Sequence, residues 1–315
     1  MTSLQKSIAQ AASVAEADQV LTQPLKVIGG ENAKRRIEDV IGLISETETG
    51  RQTLEAAAKA GYTVSVGYQG DRVSGIDTEK KNIVLDTRNK SEDLAAALIH
   101  DCRVAGSKYG PADDRQPRNE TVKTDIIRAR AVEADAQATV IQTLAEISVK
   151  GHGSYWANYR DNPENKSVVK AFKQGLKKQG SMKDGSARMA AFMGWYGNED
   201  AKKAVDETQV SIMKKRQDRG DVKNDTYAAT RPAAQIVKDV CVNKDGGCYF
   251  TADPKVLESG SYIAVNRETA IQLEAFIHRA PAAKRCVEND PTGTKFSKSM
   301  SPAMAQALAA NKGRN

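Results

Sequence analysis

From Thr121 to Val149 the chain runs without a glycine or a proline, and that stretch limits what the rest can become. An unbroken span of this length predicts one long helix around which other elements must pack. Ile126, Ala129, Ala136 and Val140 share a face with Glu133 at helical spacing. A carboxylate alone on an apolar face is costly, so a metal, an arginine or a histidine must compensate it. Arg128 and Asp135 fall on the other, polar side of the same helix. Gly151 and Gly153 close it and mark the clearest boundary in the chain. That boundary divides the sequence into regions 1–150 and 151–315.

The lead-in to about residue 60 reads as helix. Ile37, Val40, Ile41 and Ile44 form one apolar stripe within Glu31 to Ser45, and an Ala-rich helix from Arg51 to Ala60 stops at Gly61. The period then changes. Tyr62 to Tyr68 alternates at period two, and Asn82 to Asp86 is a second short strand, with a weak one over Arg72 to Ile76 between them. Region 61–86 is therefore expected to be a small antiparallel meander. Ser91, followed by Glu92 and Asp93, starts another helix that runs to about Ser107. With the long helix it makes a pair over 91–149. Further helices are expected at 166–178, 186–196, 199–217, 266–278 and 302–310, with a polar loop over 217–231. The fold class is α+β and predominantly helical.

Composition removes several classes of function. No apolar run approaches the ~18 residues of a membrane helix, the longest being Leu94 to Ile99. The N-terminus lacks a basic start followed by an apolar core, and four scattered cysteines do not make a disulfide framework. A cytoplasmic protein with reduced thiols is the expectation. The net charge of +7 is uneven: 1–150 holds 20 Lys+Arg and 22 Asp+Glu, whereas 151–315 holds 27 and 18. All the excess positive charge lies beyond Gly151.

Only three histidines are present. His152 sits in a glycine-flanked loop, and His278 lies near a helix end, where a cation suits the dipole. His100 differs, because on its helix the neighbours are Ala96, Ala97, Arg103 and Val104. A histidine so placed is partly buried and needs a hydrogen-bond partner.

A strand, a helix with the pair His100-Asp101, and a second helix with Glu133-Ala134-Asp135-Ala136 together resemble a zincin with a glutamate as third ligand. More narrowly, the chain resembles a bacterial family of unknown function grouped with the metallopeptidases. The resemblance rests on Thr49 to Tyr62, Asn82 to Leu85, Leu98 to Asp101, Arg130 to Ala136 and Phe192 to Tyr196. It covers roughly 30–150 and, more weakly, the rest of the chain. It implies a zinc-dependent peptidase built on a His-Glu-x-x-His helix. Here His100 matches the first ligand and Glu133 the third. Val104 stands where the second histidine belongs, and valine binds no metal. Asp101 holds the general-base position with a side chain one methylene shorter. That displacement exceeds about 1 Å and can cost ~100-fold. The expected cofactor is accordingly none, or zinc bound incompletely. Arg103, at i+3 from His100, or Arg130, at i−3 from Glu133, would then supply the positive charge facing Glu133.

Other signals are weaker. Cys241 and Cys248 flank a Gly-Gly turn, where free thiols are expected in a reducing compartment, and no Cys-x-x-Cys, Walker or Rossmann pattern occurs. Basic residues interleave with aromatics after residue 151, as in single-strand binders. Acidic residues interrupt them, however, and Phe172 and the Phe192-Trp195-Tyr196 cluster have core spacing, so nucleic acid is not the expected partner. The functional expectation is a metallopeptidase-like pseudoenzyme whose degenerate site serves peptide or protein binding. The alternatives are an active zinc hydrolase using Asp101 as base, and a basic interaction module without enzymatic activity.

Overall fold

The computed structural model describes residues 25–112, 119–179, 182, 184–222, 229–243 and 246–279. The helix expected at 302–310 and part of the loop at 217–231 lie outside the described residues. Four strands form one sheet: β1 (Val27–Ile28), β2 (Thr63–Val66), β3 (Ser74–Asp77) and β4 (Asn82–Leu85). Between β1 and β2 stand α1 (Glu31–Ser45) and α2 (Glu48–Lys59). After β4 come α3 (Ser91–Ala105), α4 (Val122–Val149), α5 (Gly153–Asp161), α6 (Lys166–Gln179), α7 (Ser186–Trp195) and α8 (Glu199–Asp218). The series closes with α9 (Ala233–Val240), α10 (Gly260–Ile263) and α11 (Arg267–Arg279). The protein is α+β and predominantly helical. No helix among the described residues is long and apolar enough to cross a membrane.

The sheet is mixed, not the antiparallel meander that the alternation suggested. Its order is β1-β2-β4-β3, with β1 and β4 parallel to β2 and only β3 antiparallel to β4. Side-chain chemistry accounts for the swap. Ile83 and Leu85 of β4 are fully buried, so the more apolar strand takes an inner place. The polar Ser74-Gly75-Ile76-Asp77 is left at the edge, half-exposed throughout, where unpaired backbone groups meet water.

By contact the chain forms two compact units, each assembled from separated stretches. The first comprises Met1–Pro111, Ala131–Ala201 and Ile236–Asp253, and holds the sheet together with α1–α3 and α5–α7. The second comprises Ala112–Arg130, Lys202–Gln235 and Pro254–Asn315. The helices directly after Gly151 therefore group with the sheet.

Two local devices place α3 in the first unit. Arg36 of α1 donates from Nη1 to the Thr87 carbonyl and from Nη2 to the Asn89 carbonyl at 2.7 Å. This holds the turn between β4 and α3. Leu94, Ala95, Leu98, Ile99 and Cys102 then bury one face of the helix completely. At its end, Gly106 lies against α2: a Cβ there would stand 2.7 Å from Ala56 Cβ and 2.9 Å from the Ala57 nitrogen. Backbone cannot yield as a side-chain tip would. Gly106→Ala is therefore expected to lower unfolding stability by about 1–3 kcal/mol, measured by urea denaturation.

Candidate functional site

The first unit brings His100 and Glu133 together. His100 Nε2 lies 2.9 Å from Glu133 Oε1, and Nδ1 lies 3.0 Å from Asp101 Oδ1. Their side chains are 23% and 25% exposed, so the pair is neither sealed nor free in water. Gln137, one turn along α4, donates to the same Glu133 oxygen at 3.2 Å, and Tyr159 of α5 donates to Gln137 Oε1 at 3.0 Å. Of the side chains expected to compensate a carboxylate on this face, the histidine and not an arginine is the one in contact.

Electrostatics follow from the two contacts. Burial alone would push the imidazole toward its neutral form, but Glu133 and Asp101 at its two nitrogens outweigh that and hold its pKa well above the usual histidine value. Burial would likewise raise the Glu133 carboxyl. The His100 charge, with hydrogen bonds from His100 and Gln137, lowers it instead. In its charged form the ring donates one N–H to each carboxylate. Asp101 Oδ2 is buried without a hydrogen-bond partner among the described residues.

The two arginines expected near Glu133 are engaged elsewhere. Arg103 donates from Nε to Asp135 Oδ2 at 2.5 Å and from Nη2 to Oδ1 at 3.1 Å, and it also reaches the carbonyls of Val240 and Val242. Arg130, in the second unit, makes a paired contact with Asp206 at 2.8 and 2.6 Å and caps the Tyr262 and Ala264 carbonyls. An offset of three residues fixes the side of a helix but not the direction a long guanidinium takes. Val104, one turn beyond His100, is 8% exposed and packed as core. His152 lies in its loop as read, 4.0 Å from Glu46; the side chain of His278 is outside the described part.

The largest departure from the sequence reading is Asp135. Assigned above to a polar face, it is 1% exposed. Besides Arg103, its Oδ1 accepts from Arg188 Nη2 of α7 at 3.2 Å and from the Tyr249 hydroxyl at 2.6 Å. Arg188 also donates to Thr139 Oγ1 at 2.6 Å and stacks over the Tyr249 ring at 4.3 Å. Burial and the Asp135 charge push the Tyr249 hydroxyl pKa well up, so the phenol stays a donor. Arg188 was missed although a signal existed. It is the one charge in the otherwise apolar helix Ser186–Trp195, and such a charge needs an anion.

Sheet, histidine helix and glutamate helix follow one another in the order that a zincin resemblance implies, which sets the class of protein to consider. The chain belongs to the Putative metallopeptidase family (DUF6782), whose family model matches residues 11–251. The match continues past Gly151 through α9 and Tyr249. No curated protein and no solved structure matches the chain.

A metallopeptidase family implies a metal, and the described residues do not fit a catalytic zinc. Such a site uses three protein ligands at ~2 Å, which sets neighbouring donors about 3.3 Å apart. His100 and Glu133 instead bond directly, Val104 offers no donor, and no group of three or more His, Cys, Asp or Glu among the described residues could hold a metal ion.

Two outcomes follow. Asp135→Ala leaves Arg103 and Arg188 buried without their anion and is expected to cost about 3–5 kcal/mol in chemical denaturation. For His100 the folded pKa is raised, so its stabilisation is full below about pH 6.5 and fades as pH climbs through the folded value. Imidazole NMR should find His100 still charged at pH 7, and Glu133→Gln should bring its midpoint down.

Proposed function

We propose that this member of the family has exchanged its catalytic zinc for an internal cation. On this reading the protonated His100, clamped between Glu133 and Asp101, supplies the positive charge that a metal would bring to the glutamate. The site is then a degenerate one, retained to bind a peptide or a partner protein without cleaving it. The observation that carries the reading is the direct 2.9 Å bond between His100 Nε2 and Glu133 Oε1, beside a buried Val104. Both ring nitrogens are used by carboxylates, which leaves no lone pair for a metal. The engagement of Arg103 by Asp135 and of Arg130 by Asp206 supports it further, since neither is spare to neutralise Glu133.

One observation favours the other reading, an active zinc hydrolase with a divergent site. Among the described residues Asp101 Oδ2 is a buried acceptor without a partner, as a base awaiting its proton would be.

Metal analysis separates the two. The full chain, expressed in zinc-supplemented medium and purified without chelator, should carry far less than one zinc per chain. Hydrolysis of unstructured peptides should be absent and indifferent to added chelator. Stoichiometric zinc, or chelator-sensitive cleavage, overturns the proposal. The double change Asp101→Glu with Val104→His restores the missing ligand and a longer base, and should raise zinc occupancy toward one per chain.

A further inference from the structure

The first unit carries a second feature, remote in role from the histidine pair. Helix α6 places Lys166, Lys170, Lys173 and Lys177 within an arc of about 60° of its circumference, at axial steps of about 6, 4.5 and 6 Å. Lys178 adds a fifth cation beside the row. Lys166, Lys170, Lys177 and Lys178 are exposed, and Lys173 is half-exposed. Neither α6 nor its packing partner α7 contains an aspartate or a glutamate. Asp161 of the adjoining α5 is bonded by Arg160 at 2.7 and 2.8 Å and also feels the charge of Lys173, so one carboxylate partly offsets the row.

The helix does not gain from this arrangement. Like charges three and four residues apart repel on a helix surface. Lys166 and Lys170 also stand at the positive end of the helix dipole, and no acidic residue in the first turn offsets them. The buried face of α6, with Val168, Val169, Phe172 and Leu176, holds the helix in place despite the row.

We infer that the lysine row of α6 is a docking surface for an acidic helix of a partner protein, one with Asp or Glu repeating at three- and four-residue spacing. Charge complementarity and spacing carry the choice. Steps of four, three and four residues set the four cations along one side of the helix, where acidic side chains at the same spacing on a neighbouring helix can face them one for one. Three features turn the assignment away from other polyanions. The row has no arginine, the residue suited to forked phosphate contacts. Its aromatic, Phe172, is buried and cannot stack on a base. Every apolar side chain named above is buried too, so nothing is left to anchor in a bilayer interface.

The test uses the full chain and a labelled synthetic helical peptide with glutamates at i, i+4, i+7 and i+11, read by fluorescence anisotropy. A peptide of the same composition with scrambled spacing is the control. A DNA duplex and phosphatidylserine-containing vesicles are parallel probes. The spaced peptide should bind at least about tenfold more tightly than the scrambled one, weaken with salt, and lose at least about tenfold on the quadruple change Lys166→Gln, Lys170→Gln, Lys173→Gln and Lys177→Gln. That variant removes repulsion, so its melting temperature should be unchanged or higher. Equal binding of both peptides, binding that survives the quadruple change, or tighter lysine-dependent binding to duplex or vesicles each overturns the inference. A variant that melts lower would show that the row serves the fold, and overturns it as well.

Discussion

One buried carboxylate organises the first unit. Asp135 is almost wholly withdrawn from water, yet two guanidiniums and a phenol converge on it from three different parts of the sequence. Burying an anion is tolerable only when its charge and its lone pairs are met together. Arg103 meets it from α3, Arg188 from α7, and Tyr249 from the segment after α9. The excess cation is distributed as well. Arg103 turns its remaining N–H groups to the Val240 and Val242 carbonyls, and Arg188 turns one to Thr139. An arrangement with so many specified directions admits little sliding between helices.

The same arrangement sets the geometry of the histidine pair. Arg103 lies one turn from His100 on α3, and Asp135 lies two residues from Glu133 on α4, so the buried ion pair fixes the spacing of the half-buried one. His100 then has a carboxylate at each ring nitrogen. Gln137 and Tyr159 extend the contacts from Glu133 into α5. The result is a joint between helices in which the imidazole ring is the bridging element.

Much of this was legible in the residues. Periodicity located the longer helices, and the switch to period two located β2, β4 and part of β3, because those signals depend on neighbours within a turn or a pleat; the shorter α5, α9 and α10 were not among the expected helices. The apolar surroundings of Glu133 and the near-apolar helical face of His100 brought both into view for the same reason. Parallel pairing was not legible. β1 is a two-residue strand, and its partner lies beyond two helices. Asp135 was misplaced because helix-face reasoning grants a long helix one wet side, whereas most of the described length of α4 is buried all round. Once both faces are covered, polarity no longer marks solvent. It marks a partner on another element, and the identity of that partner belongs to tertiary structure.

The discontinuous make-up of the first unit bears on how the chain acquires its structure during synthesis. Arg103 and Asp135 emerge first, Arg188 some fifty residues afterwards, and Tyr249 about sixty residues later still. Until then the carboxylate lacks its phenol donor, and Arg103 lacks the carbonyls of Val240 and Val242. The nascent helices can form, being local, but their final packing waits on contacts of very large sequence separation. A chain stalled before Tyr249 would hold the histidine, the glutamate and the Arg103–Asp135 pair, but with the buried carboxylate short of its phenol donor.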